Sequence, residues 1–217
     1  MNSIKAVCFD LDGTLLDTLE EIAVSANTVL ERNGYPTHEV GSYRYFVGDG
    51  VQRLIKRVLP ETATDDALVR ELVTELESEY DKRANRLTQI YPGILEMLDT
   101  ITERGIRLAV LSNKPHSLTE ECIRRFFPNR AFEVVLGQQA HRPRKPDPAG
   151  AIEVARQLGI STEEVLYVGD TDVDMKTAKA AKMTAVGVLW GFRQRDELIN
   201  NGADHIVQSP SDLAKLL

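Results

Sequence analysis

The chain has 217 residues, with 26 Lys and Arg against 33 Asp and Glu, for a formal charge of −7. Hydrophobic residues make up 42 % and charged residues 27 %, enough apolar material for the core of one large domain or two modest ones without disulfides. The acidic balance argues against a nucleic-acid binder that works by broad phosphate neutralisation, and no apolar run approaches the roughly 18 residues that a membrane span requires.

The first apolar, β-branched run is Ile4 to Phe9. Its length and near-continuous apolar character suit a strand buried on both faces. Asp10 and Asp12 interrupt it, so the N-terminus does not read as a signal peptide. From Asp17 to Arg86 the patterns are helical, with no convincing strand. Leu19, Ile22, Ala23, Ala26, Val29 and Leu30 share one helical face closed by Gly34, Gly48 to Leu59 reads as a shorter helix opened by a glycine-containing loop, and Leu68, Leu72, Leu76 and Tyr80 form a four-spaced stripe with Thr64 as its expected N-cap. Tyr91-Pro92-Gly93 marks the return to strand and helix alternation. Helices are expected over Ile94–Arg104, ending at Gly105, and over Ser117–Phe127, Ala149–Leu158 and Asp172–Lys182; the strands are Ile106–Leu111, Phe132–Leu136, Val165–Val168, Thr184–Val188 and His205–Val207. That alternation predicts a doubly wound, Rossmann-like α/β core with a parallel sheet, formed by residues 1–16 and 88–217, and an inserted all-helical cap domain over residues 17–87. Only two cysteines occur, Cys8 and Cys122, which fits a reducing cytoplasm.

In an open parallel sheet, ligands bind outside the carboxyl ends of the strands. Four such ends here carry polar groups: Asp10-Leu11-Asp12-Gly13-Thr14, Ser112-Asn113-Lys114, Lys145-Pro146-Asp147-Pro148 and Gly169-Asp170-Thr171-Asp172-Val173-Asp174. Three carboxylates, Asp10, Asp12 and Asp170, gathered at one edge call for a hard divalent cation, and all-oxygen surroundings with room for water and phosphate suit Mg²⁺. Lys145 adds a positive charge and Ser112 a hydroxyl donor. Together they make a pocket for a phosphoryl group, in which one carboxylate can attack phosphorus and another can exchange a proton with the leaving oxygen. Trp190 and Phe192, after the fifth strand, are expected in the core.

The segment from Asp10 to Thr18 resembles the first motif of the haloacid dehalogenase-like phosphohydrolases, and the other three segments resemble the remaining motifs in the right order. The helical insertion after the first motif is similar to the cap of the phosphoglycolate phosphatase-like branch. The resemblance implies Asp10 as nucleophile and metal ligand, Asp12 as general acid/base with its backbone carbonyl on the metal, and Asp170 as a second carboxylate on the metal. It implies Ser112 and the N–H of Asn113 as phosphate donors, and Lys145 paired with both Asp10 and the phosphate. Asp174 is then expected beside Lys145 or a metal-bound water. An acid at Asp12 implies phosphate-ester chemistry, because dehalogenase members are expected to lack it. Phe46 to Ile55 resembles the corresponding stretch of the phosphoglycolate phosphatases. Gly48, Gly50 and Arg53, with Arg44, are its candidates for binding the rest of a small phosphorylated substrate through free helix-start N–H groups and a cation. Phosphomutase or pyrophosphatase chemistry on the same frame, and a non-enzymatic phosphate- or Mg²⁺-binding module, are the competing readings.

Overall fold

The computed structural model describes residues 3–63, 65–83 and 85–217. In chain order the elements are β1 (Ala6–Phe9), β2 (Leu16–Asp17), α1 (Leu19–Arg32), α2 (Tyr43–Phe46), α3 (Val51–Val58), α4 (Asp66–Arg83) and β3 (Gln89–Ile90). There follow α5 (Ile94–Glu103), β4 (Arg107–Pro115), α6 (His116–Phe126), β5 (Phe132–Gln138), α7 (Ala149–Leu158), β6 (Val165–Gly169), α8 (Asp172–Ala180), β7 (Thr184–Val188), α9 (Arg195–Asn200), β8 (His205–Val207) and α10 (Pro210–Leu216). The chain divides into two compact units, one of Met1–Leu16 with Ile90–Leu217 and one of Asp17–Gln89. Strands β2 and β3, too short to read from sequence, pair as a two-stranded ribbon.

The first unit holds a six-stranded parallel sheet in the order β5-β4-β1-β6-β7-β8. Both β1 and β6 are buried along their whole length, as their unbroken apolar sequences require. Period-two alternation sorts their side chains. Val7 and Phe9 join Val110, Val168, Leu98, Ile101, Ile123 and Leu213 on one face, and Ala6 and Cys8 join Ala109, Tyr167, Val154, Leu158 and Met175 on the other. Both faces thus carry helices, which is the doubly wound α/β architecture. At about 0.8 kcal/mol per buried methylene, these two layers dominate the unit's stability. Helix α5 ends as its glycine predicts: Gly105, at φ +74°, sends its N–H to Thr102, and Ile106 donates to Ile101, closing a Schellman motif.

Two features of this unit differ from the sequence expectation. Strand β4 continues past Leu111 to Pro115, so Ser112, Asn113 and Lys114 lie within it; polarity hid the extension, which is held by pairing of Pro115 with Gln138 across a register shift. Helices α9 and α10 show no periodic pattern in the sequence. Both are short, and α10 opens with a box in which Asp212 accepts from the Ser209 N–H and hydroxyl.

The second unit is helical. Helix α4 packs against α1 and α3, and buries Val69, Leu72, Leu76 and Tyr80. Helix α1 buries Ile22, Ala23, Ala26, Val29 and Leu30. Thr64 lies outside the described residues; the observed cap of α4 is Asp65, whose carboxylate accepts from the N–H groups of Ala67 and Leu68. Asn27 clamps the chain after α1, since its amide bonds both N–H and carbonyl of His38 and accepts from the Tyr43 hydroxyl. Glu21 is fully buried, with one carboxylate oxygen on Arg83 Nε and the other on the Leu87 N–H, each at 2.7 Å. A buried carboxylate is tolerated only when paired in this way.

Candidate active site

The sheet order makes β1 the switch point. The chain runs from β1 to β4 and β5 on one side, then returns to β6 on the other. Segments leaving β1 and β6 therefore emerge side by side, and each brings an aspartate. Asp10 and Asp170 are 6 % and 0 % exposed, and Asp174, in the first turn of α8, is 0 % exposed. One carboxylate oxygen from each of the three lies within 4.8 Å of the others.

Lys145 is the cation among them. Its ammonium stands 2.9 Å from Asp10 Oδ1 and 2.7 Å from Asp174 Oδ1. Asn113 holds this lysine from the backbone: its Oδ1 accepts from the Lys145 N–H at 2.9 Å and its Nδ2 donates to the Lys145 carbonyl at 3.1 Å. Asp174 also accepts from the Thr171 N–H and hydroxyl, and so caps α8 while binding Lys145. Asp10 Oδ1 further accepts from the Leu11 N–H at 2.7 Å. Asp170 accepts from the Thr14 hydroxyl at 3.0 Å and from the Phe192 N–H at 2.8 Å.

The backbone comes unusually near these carboxylates. Gly13 has φ +86°, and a Cβ there would overlap the Asp170 carboxylate. A Cβ at Gly191 would strike Asp170 and one at Gly169 would strike Asp174. The acids are gripped by bare backbone, which fixes them with little freedom.

The electrostatics are unbalanced. Burial, then the charge of Asp174, push the Asp10 carboxyl up to about 7 against the pull of Lys145. Burial, Asp174 and Asp10 raise Asp170 well above the usual carboxylate range. Burial works against the charge on Lys145, but Asp10 and Asp174 outweigh it and its pKa is raised. Three buried carboxylates thus lie together with one lysine, which pairs with two of them, and the cluster is short of positive charge. The donor set is oxygen alone, with no thiolate or imidazole in the group. A hard divalent cation fits both facts.

The remaining sequence candidates fall into two places. Ser112 is 4 % exposed and its Oγ accepts from the Lys114 N–H; Asp12 Oδ1 lies 3.4 Å from Lys114 Nζ. The side chain of Asp12 is not in the three-carboxylate group, and its expected metal contact was through the backbone carbonyl. Gly48, Gly50 and Arg53 belong to the helical unit, where Gly50 precedes α3, Arg53 is exposed, and Asp49 pairs with Arg57. Trp190 is partly buried, with Nε1 donating to the Thr14 carbonyl, and Phe192 is in the core as expected. Sequence reasoning missed Thr14, Gly191 and the Phe192 N–H. Thr14 stood in the first motif and could have been found. A backbone donor leaves no mark on residue type.

A family model for haloacid dehalogenase-like hydrolases matches residues 7–188. A phosphoglycolate phosphatase of Pseudomonas putida is 30 % identical over 98 % of this chain and 78 % of its own. One from Vibrio parahaemolyticus is 30 % identical over 99 % of this chain and 96 % of its own. Among solved structures, a Lactobacillus delbrueckii subsp. bulgaricus protein assigned as a phosphoglycolate phosphatase superposes with a TM-score of 0.93 at 28 % identity, covering 99 % of this chain and 98 % of that one. With its motifs in order and a match over most of its length, the chain belongs to the haloacid dehalogenase-like hydrolase family.

Proposed function

We propose that this enzyme is a Mg²⁺-dependent phosphatase that hydrolyses a small phosphorylated metabolite of the phosphoglycolate type through an aspartyl-phosphate on Asp10. The observation that carries this reading is the buried contact of Asp10 with Lys145 at 2.9 Å inside a three-carboxylate cluster. A nucleophilic carboxylate is held there beside a fixed cation that can bind an incoming phosphoryl oxygen.

The chain's own residues take these roles. Ser112, the Asn113 N–H and Lys145 bind the phosphoryl oxygens. A carboxylate oxygen of Asp10 attacks phosphorus, the ester P–O bond breaks, and Asp12 gives its proton to the leaving oxygen. Asp12 then takes a proton from water, whose oxygen attacks the same phosphorus. The P–O bond to Asp10 breaks, releasing inorganic phosphate and the free carboxylate. Asp10, Asp170 and the backbone carbonyl of Asp12 would hold Mg²⁺, with Asp174 engaged by Lys145; when bound, the ion neutralises charge on the phosphoryl oxygens. The helical unit serves as the cap that selects substrate, through Gly48, Gly50 and Arg53. The two buried cysteines are in keeping with a cytoplasmic enzyme, and no described helix is long and apolar enough to cross a membrane.

The test is a panel of phosphate esters assayed for inorganic phosphate with Mg²⁺ and with a chelator, on the wild type and on Asp10→Asn. Release of phosphate that needs both the metal and Asp10 is expected. An isomeric sugar phosphate in place of free phosphate would mean a mutase, and full activity in Asp10→Asn would remove the assigned nucleophile.

A further inference from the structure

The end of β4 carries a second buried cation, Lys114, to which the roles above assign nothing. The residue is 9 % exposed, and its ammonium lies 3.4 Å from Asp12 Oδ1, with the two side chains 6 % and 14 % exposed. Its backbone is held at both ends. The N–H donates to Ser112 Oγ at 3.2 Å, and the carbonyl accepts from the Thr119 hydroxyl at 3.2 Å. Gly137 on β5 packs against that carbonyl so closely that a Cβ there would stand 2.8 Å from the oxygen. Successive side chains of this strand end therefore address two parts of the site: Asn113 fixes the Lys145 backbone, and Lys114 meets Asp12.

The surroundings of Asp12 explain why such a contact matters. Asp12 sits in the turn after β1, where Leu16 bridges back to it. A carboxylate on a short arm has several rotamers open to it. A buried ammonium 3.4 Å from Oδ1 favours those that keep this oxygen towards it. Burying an ammonium costs solvation that pairing must offset, which makes the Asp12 contact a feature that the fold sustains.

We propose that Lys114 is a positioning residue for Asp12: by holding Oδ1 it leaves Oδ2 as the oxygen that exchanges a proton with the leaving group. This rests on the phosphatase reading above, in which Asp12 is the acid/base. Lys114 itself touches neither phosphorus nor the ester oxygen in this scheme. In this scheme its effect on the reaction passes through Asp12, and that is what can be measured.

Single-turnover release of the leaving group is followed in the wild type, Lys114→Met, Asp12→Asn and the double variant, with an alkyl phosphate and with p-nitrophenyl phosphate. An alkoxide needs a proton to leave, whereas nitrophenolate does not. Lys114→Met is expected to slow the alkyl ester by about 10- to 100-fold, the scale of a misplaced catalytic group, and the nitrophenyl ester by less than about threefold. In the Asp12→Asn background it should add no further loss. Equal losses on both esters, or the same loss repeated in the Asp12→Asn background, overturn the proposal. Should Lys114→Met fail to fold, Lys114→Gln takes its place under the same two criteria. A wild type inactive on every phosphate ester would sink the phosphatase reading itself; an active wild type with a damaged Asp12→Asn and an indifferent Lys114 variant would sink this inference alone.

Discussion

The two units treat charge in opposite ways. In the α/β unit, Asp10, Lys145, Asp170 and Asp174 are all at most 6 % exposed and lie together. In the helical unit the ion pairs that join α1 to α4, Arg32 with Glu75 and Glu79, sit on the surface, and Glu21 is the buried exception with both oxygens satisfied. A unit built for stability alone keeps its charges wet or fully paired. The α/β cluster hydrogen-bonds its acids but holds three carboxylates against one lysine, so burial and like charges push Asp10 and Asp170 up from the usual range. Such strain marks a place where a ligand of opposite charge belongs.

The sharpest way to break this contrast is to remove the proposed nucleophile. Asp10→Asn should cost at least about 10⁴-fold in turnover, measured as phosphate release. It should leave the thermal midpoint unchanged or raised, because one of three crowded carboxylates is gone. A damaged fold would mean that Asp10 serves stability, like Glu21. Removing metal should be nearly as severe for turnover. Mg²⁺ at a hundred times its dissociation constant should stabilise the wild type by about 2.7 kcal/mol in thermal unfolding, and Asp170→Asn should lose most of that gain.

Stability should answer to the helical unit's buried acid. Glu21→Gln replaces the charge that faces Arg83 and the Leu87 N–H, and should cost about 2 kcal/mol in denaturant unfolding. The two units can then be compared through glycines of like conformation. Gly13, at φ +86°, lies against Asp170, whereas Gly34, at φ +73°, has open space where a Cβ would stand. Gly34→Ala should cost only the backbone strain, about 1–2 kcal/mol. Gly13→Ala should cost more than that in stability, and should lose Mg²⁺-dependent activity as well. Equal stability losses at the two positions would mean that the Asp170 carboxylate can move aside. The smallest effect belongs to the exposed pair of Lys56 and Asp66. Lys56→Met should not shift the unfolding midpoint measurably.

The layers of the fold were legible because strand and helix periods are properties of local sequence. Val165–Gly169, Thr184–Val188 and Ala149–Leu158 stand almost where apolar patterning put them. The polar end of β4 was not legible, because pairing with β5 holds it as strand against its composition. Helices α9 and α10 were too short for a period to show. In the site, the acids and Lys145 announced themselves as charges at strand ends. The bond from the Phe192 N–H to Asp170 did not, since every residue but proline carries that donor.

The sequence by itself determined which chemical groups the protein possesses and in what order the strands deliver them: aspartates after β1 and β6, serine and lysine along β4, a lysine before α7. Their partners are set by the tertiary structure, although the family resemblance anticipated Lys145 beside Asp10 and Asp174. Lys145 joins Asp10 to Asp174, Lys114 meets Asp12, and Gly13, Gly169 and Gly191 close on the acids. The reason is one of range. Periodicity and turn chemistry act over a few residues, whereas Asp10 and Lys145 meet only when separate strands of one parallel sheet bring their ends to the same edge.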